Sequence, residues 1–271
     1  MKKIIVATDY SAIANNALQF GANLARVFQA ELILFNVYHM SAHVSNARVN
    51  PEAIDHIIQD NENRLKELAE ETAQQYQINV RWASKITDTV GELENYAIAE
   101  HADLVVMGME SNLAEYKLFG NTTTAAIGRL KFPVLVVPKD VRFKGITKVL
   151  YACEYSYVSK DNHLDLLKEF TRKFGAELQV LHVETKTPVP AMIEDQGSAI
   201  DSIMEDVDHT YTVVKNRSIR DGIIQGVENW QADLLVMVPH KAGFLESFVK
   251  VSMTREVTLR TPVPVLVLPN L

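Results

Sequence analysis

Two stretches of the chain, MGMESNLAEYKLFGNTTT (Met107–Thr124) and MVPHKAGFLESFVKVSMT (Met237–Thr254), have the same length and different chemistry. The first opens on Gly108 after an apolar run and closes on Gly120, Asn121 and the hydroxyls of Thr122 and Thr123. Glycine lets an anionic group approach bare main chain. A helix opening just after such a loop, expected over residues 122–130, turns its free N–H groups and positive dipole end toward that anion. The second stretch puts Val238 where Gly108 stands and Pro239 after it. It sets Lys241 opposite Ser111, and Lys250 and Val251 in place of Gly120 and Asn121. A valine side chain obstructs a backbone-hugging phosphate, and no glycine supplies a tight anion loop. Lys241, Lys250 and Ser252 could still hold another anion, but solvated lysines are the plainer reading.

Other residues able to do chemistry are fewer. Asp9, at the end of the run IIVATD, offers an ionised carboxylate that accepts from paired hydroxyl donors. Its counterpart later in the chain is Glu154, one methylene longer and crowding for the same partner. His39 and His43 are four apart but lie in a loop-like segment with no cysteine beside them, which argues against zinc. His182 lies in a strand and Cys153 among apolar neighbours, so both read as core residues. Asp103 and Asp233 precede apolar strands and read as residues that cap or turn the entering chain. The chain has no Walker-type lysine–serine loop and no serine–glycine–glycine loop after its first strand. Glu110 and Glu115 flank the first stretch, where carboxylates repel phosphate more than they activate water.

The elements that must position these groups are written twice. KKIIVATDYS (Lys2–Ser11) aligns with TKVLYACEYS (Thr147–Ser156), and AELILFNV (Ala30–Val37) with AELQVLHV (Ala176–Val183). ADLVVMG (Ala102–Gly108) aligns with ADLLVMV (Ala232–Val238), and FPVLVVP (Phe132–Pro138) with VPVLVLP (Val263–Pro269). Four blocks in one order predict two copies of a domain, 1–140 and 146–271, joined by the polar connector Lys139–Ile146. The second copy is shorter, mostly between its second and third strands. Each block is a continuous apolar run suited to a strand covered on both faces. Helices are predicted between them. One runs over Ala12–Phe28, with Ile13, Ala17, Phe20, Leu24 and Phe28 at helical spacing. Another covers Glu52–Tyr76, with Ile54, Ile57, Ile58, Leu65, Leu68 and Thr72 on one face, and Gly175 closes a helix of the second copy. The fold class is α/β: two tandem doubly wound domains, each a five-stranded parallel sheet of order 3-2-1-4-5 with helices on both faces.

In such a sheet ligands settle at the carboxyl ends of the strands, where the strand order reverses between strands one and four. The first copy delivers Ala7, Thr8 and Asp9 there from strand one and Met107 and Gly108 from strand four, with Val37 beside them at the end of strand two.

Taken in order and twice over, the blocks IIVATDYS, AELILFNV, ADLVVMG and FPVLVVP resemble the universal stress protein family in its tandem two-domain form. Nucleotide-binding members carry glycine, two residues, glycine, nine residues, then glycine with serine or threonine. Here Gly108 fits the first glycine, Ser111 stands at the second, and Gly120 fits the third only in a loop one residue shorter, with Asn121 before Thr122. The resemblance implies ATP or AMP, with or without magnesium, the adenine lying near Val37 and Ala7 and the sugar on Asp9. It also implies that the two copies pair through their last strands, Val134–Val137 with Val265–Leu268. A long apolar edge calls for such a cover on general grounds. Further homodimerisation is compatible with this.

The formal charge of −7 with a pI near 5.6, and the lack of a basic stripe, argue against a nucleic-acid partner. Asp9 interrupts the first apolar run too early for a signal peptide, and no run approaches the roughly 18 residues of a membrane span. The single cysteine, Cys153, excludes an internal disulfide, and the chain is expected to be cytoplasmic. Three functional classes remain: an adenine-nucleotide-binding regulator, a nucleotide-free interaction scaffold, and an ATP-using enzyme. The absent catalytic loops place the last behind the others.

Overall fold

The computed structural model describes residues 1–38, 51–86, 91–110, 132–153, 164–185, 200–239, 254 and 256–269. The chain forms two compact units, Met1–Gly108 and Met109–Leu271.

The first unit alternates β1 (Lys3–Ala7), α1 (Ala12–Phe28), β2 (Glu31–Tyr38), α2 (Pro51–Tyr76), β3 (Val80–Ile86), α3 (Glu92–Ala99) and β4 (Leu104–Met109). Its strands are parallel in the order β3-β2-β1-β4, with Val6 opposite Leu34 and Val106. Helix α1 has the predicted bounds; Ser11 caps it, accepting from the Ala14 N–H at 3.1 Å. Gly21 of α1 lies against Val6, and Asn61 of α2 bonds Asn36 and Ser84, so α1 and α2 share one face of the sheet. Tyr96 of α3 stacks on Phe35, one residue along β2 and therefore on the opposite face, with ring centroids 4.5 Å apart. Helices cover both faces, which is why Ile4, Ile5 and Val6 are all fully buried.

The second unit contains β5 (Val134–Pro138), β6 (Lys148–Ala152), α4 (Asp165–Phe174), β7 (Glu177–Glu184), β8 (His209–Lys215), α5 (Ile219–Trp230), β9 (Leu234–Met237) and β10 (Val265–Val267). The strands of the second repeat read β8-β7-β6-β9-β10, the full 3-2-1-4-5 order, and all are parallel. Beyond β10 lies β5, the last strand of the first repeat, paired antiparallel with Val265 opposite Val136 and Val267 opposite Val134. The two edges expected to cover one another do so. Gly175 ends α4 in the left-handed region at φ 60°, as its place after the helix predicts. The connector between β5 and β6 is anchored: Ile146 is buried and Phe143 tilts against Phe174.

The repeats agree at the amino ends of their sheets. Asp103 accepts the N–H groups of Lys2 and Lys3 at 2.6 and 2.8 Å. Asp233 accepts those of Thr147 and Lys148 at 2.8 and 3.0 Å. Each aspartate clips the start of strand four to the start of strand one, the entering-chain role its position predicts.

Two sequence expectations shift. Helix α2 begins at Pro51, where proline suits the first helical turn, rather than at Glu52. Its buried line is Asn61, Leu65, Ala69 and Thr72, whereas Ile54, Ile57, Ile58 and Leu68 are half-buried. The helix expected over residues 122–130 lies outside the described residues.

Candidate functional site

Strand β1 ends where its ladder does. Thr8 N–H donates to Phe35 O at 2.9 Å, and the chain then turns into α1. Two short side-chain bonds make that turn. Tyr10 N–H donates to Thr8 Oγ1 at 3.0 Å, and Ser11 N–H donates to Asp9 Oδ1 at 2.9 Å. These are the local aspartate and threonine turns that compete with regular structure. Tyr10 adopts φ 63°, a region uncommon for a residue with a side chain. The result presents Asp9 on the surface, with one carboxylate oxygen bonded and no described residue on the other.

Thr8 is buried and its hydroxyl is engaged within the turn. Ala7 is half-buried, paired with Phe35, and Val37 is half-buried two residues beyond on β2. Met107 is buried in β4, which pairs with β1 through Val6 and Val106. The first unit therefore brings Ala7, Thr8, Asp9, Val37, Met107 and Gly108 to the carboxyl ends of β1, β2 and β4. Ser111, Gly120, Asn121, Thr122 and Thr123 lie outside the described residues, as do His39, His43, Glu115 and Glu154.

Gly108 has a local reason to be glycine. A Cβ there would stand 2.6 Å from Ile13 O and 2.9 Å from Ile13 C, backbone atoms in the first turn of α1. The missing side chain lets α1 sit against the end of β4.

Sequence reasoning missed a polar network beneath the site. Asn36, buried in β2, donates its amide to Thr8 O at 2.7 Å. Asn61 of α2 donates to Asn36 Oδ1 at 3.1 Å and to Ser84 Oγ at 2.9 Å. The Tyr10 hydroxyl donates to Asn61 Oδ1 at 3.0 Å. Arg64, one turn along α2, holds its guanidinium carbon 4.0 Å from the centre of the Tyr10 ring. Burial pushes the Tyr10 hydroxyl above its usual range, partly offset by the Arg64 charge. The available signal was Asn61 itself, a polar residue between Ile57 and Leu65 on the apolar face of α2.

The second repeat repeats the backbone without this chemistry. Cys153 N–H donates to Leu181 O at 3.0 Å, the counterpart of the Thr8 bond. At the positions of Thr8, Asn36 and Ser84 stand Cys153, His182 and Val213, the last two paired in register. Cys153 is buried beside Tyr151, whose hydroxyl burial pushes well up. Val238 and Pro239 are half-buried; Lys241, Lys250, Val251 and Ser252 lie outside the described residues.

Elsewhere, Glu110 is paired with Lys139 at 3.3 Å. A concavity of about 520 Å³ opens among Arg26, Gln29, Gln77 and Asn79. It sits at the amino ends of β2 and β3, the end of a doubly wound sheet opposite to where ligands settle. Among the described residues no three His, Cys, Asp or Glu side chains gather to hold a metal, and no helix is long and apolar enough to cross a membrane.

The sequence profile of the universal stress protein family matches residues 1–138 and again 145–269. A universal stress protein of Methanocaldococcus jannaschii is 26% identical over 140 residues, covering 51% of this chain and 82% of that protein. Among solved structures, a universal stress protein from Archaeoglobus fulgidus superposes with a TM-score of 0.78 at 20% identity, covering 98% of each chain. A Pseudomonas aeruginosa protein gives a TM-score of 0.65 at 16% identity, over 99% of this chain and 93% of that one. Both structures share the fold over nearly all of this chain. With two profile matches that follow the strand order of each repeat, the chain belongs to the universal stress protein family, in a tandem two-repeat form.

Proposed function

We propose that the chain is a stress-response regulatory protein that binds one adenine nucleotide, ATP or AMP, in its N-terminal repeat (residues 1–140). The C-terminal repeat (146–271) serves as its pairing partner through β5 and β10. The observation that carries this reading is Asp9. Its carboxylate is exposed at the reversal point of the strand order, fixed by Ser11 N–H at 2.9 Å, with its second oxygen unengaged by any described residue. That oxygen suits the paired hydroxyls of a ribose. Ser111, Gly120, Asn121, Thr122 and Thr123 would complete the phosphate side, with magnesium where a triphosphate is bound. The role is binding rather than catalysis, since no group at the crevice is placed as a general base.

Native mass spectrometry of the freshly purified protein, followed by calorimetry with AMP and ATP, tests this. One nucleotide per chain is expected. Asp9→Ala should weaken it about 10- to 100-fold, the range for a hydrogen bond to a charged acceptor. Absence of binding at millimolar nucleotide would defeat the reading.

A second reading, a nucleotide-free interaction scaffold, draws support from Gly108. Contact with Ile13 accounts for that glycine without any ligand.

A further inference from the structure

We propose that Arg64, held over the Tyr10 ring, is the residue by which the N-terminal site distinguishes a phosphorylated ligand from its uncharged nucleoside. This inference rests on the nucleotide reading given above and names the chemistry its ligand must carry.

Arg64 is placed by a chain of contacts. Tyr10 leaves β1 in the left-handed region at φ 63°. Its ring spans from the β1–α1 turn to α2, where its hydroxyl is bonded to Asn61 Oδ1 at 3.0 Å. Arg64 lies three residues past Asn61, on the same side of the helix, and covers the ring at 4.0 Å. The ring thus sets the guanidinium beside the turn that carries Asp9.

The side chain has other choices on its own helix and does not take them. Asp60 stands four residues before Arg64 and Glu67 three after, both at spacings where ion pairs form. Lys66 and Glu70 of the same helix make such a pair at 3.9 Å. Among the described residues Arg64 makes no ion pair, and its contact is the aromatic face. An exposed arginine stacked on a ring keeps the donors along its edge free. A planar fork with free donors matches two phosphate oxygens at once.

Asp9 and Tyr10 are consecutive, so the free carboxylate oxygen and the stacked guanidinium flank one stretch of the crevice. Hydroxyls facing a carboxylate and an anion facing a guanidinium describe a nucleotide, in which the sugar and its first phosphate are directly joined. The second repeat has no equivalent pair: it is shorter between its second and third strands, where Arg64 lies in the first.

The test measures binding of AMP and of adenosine to the full chain, by calorimetry at low and at raised salt, for wild type, Arg64→Gln and Arg64→Lys. Wild type should prefer AMP by about tenfold or more, with a preference that shrinks as salt screens the charge. Arg64→Gln should bring AMP to the affinity of adenosine and leave adenosine within about twofold, the salt dependence disappearing; Arg64→Lys should restore part of the preference. An intact AMP preference in Arg64→Gln overturns the inference, as does an equal loss for both ligands, which would mark Arg64 as structural only. Wild-type protein that binds neither ligand removes the nucleotide reading itself, and this inference with it. Wild-type protein that binds both equally removes this inference alone.

Discussion

At the carboxyl ends of β1 and β6 the two repeats make the same backbone bond, Thr8 N–H to Phe35 O at 2.9 Å and Cys153 N–H to Leu181 O at 3.0 Å. At the amino ends they use the same aspartate clip, Asp103 in one and Asp233 in the other. Between these shared anchors the side chains part company. The first repeat fills the space beneath its crevice with Thr8, Asn36, Asn61 and Ser84, hydrogen-bonded in a chain that ends on Tyr10. The second places Cys153, His182 and Val213 at the corresponding strand positions. Main-chain geometry alone therefore does not make a site in this fold. What separates the repeats is whether polar side chains hold the β1–α1 turn open to solvent with its carboxylate outward.

The largest disturbance should come from Gly108→Val, which writes the second repeat's residue into the first. A side chain there meets the Ile13 backbone at 2.6 Å, and main chain cannot step aside as a side chain can. We expect a loss of about 3 kcal/mol in denaturant unfolding, with the N-terminal repeat affected first. A variant as stable as wild type would mean that the crevice, not α1, required the glycine.

Next in size is Asn61→Leu, which gives α2 an uninterrupted apolar stripe. Asn36 and the Tyr10 hydroxyl lose their partner, and each unsatisfied buried group costs about 1–3 kcal/mol. Thermal unfolding should drop despite the added apolar surface. An unchanged or raised Tm would show that the network is dispensable and the contrast between repeats cosmetic.

A smaller effect concerns the amino end of the first unit. Glu100 accepts from Lys3 at 2.8 Å and from Arg81 at 2.7 Å, and these bonds, Arg81 first, hold its carboxyl at about 2 rather than the usual 4.5. A depressed folded-state value means stability present above the unfolded value and lost as pH falls through 4.5 toward 2. Urea unfolding at several pH values should show that loss in wild type and a shallower slope in Glu100→Gln. Identical slopes would remove the ion cluster from the account.

Smallest of all should be the consequence of cutting the connector at its exposed Arg142 or Lys144. Strands β5 and β10 lie in one compact unit and pair residue for residue, so the fragments should co-elute on gel filtration. Separation into free halves would refute the shared strand interface.

Much of this was legible in the sequence because strands buried on both faces announce themselves as apolar runs, and repeating them in order fixes the strand order. Helix α1 was readable to the residue from Ser11, a capping side chain, and from the spacing of Phe20, Leu24 and Phe28. The exposed Asp9 was readable too, as the first charge after strand one. The network was not. Tyr10 and Asn61 are 51 residues apart in sequence, and one asparagine on a strongly charged helix looks like any solvated position until the helix is laid on the sheet. Gly108 was legible as a place of close approach, but not what approaches: the ligand was the expected visitor, and Ile13 is the one in contact.

The most direct test is calorimetric titration of the intact chain with AMP, wild type beside Asp9→Ala. One site per chain, weakened about 10- to 100-fold by the substitution, is the expected result. Two equivalent sites, or a single site indifferent to Asp9→Ala, would contradict the claim that only the first repeat carries a working crevice.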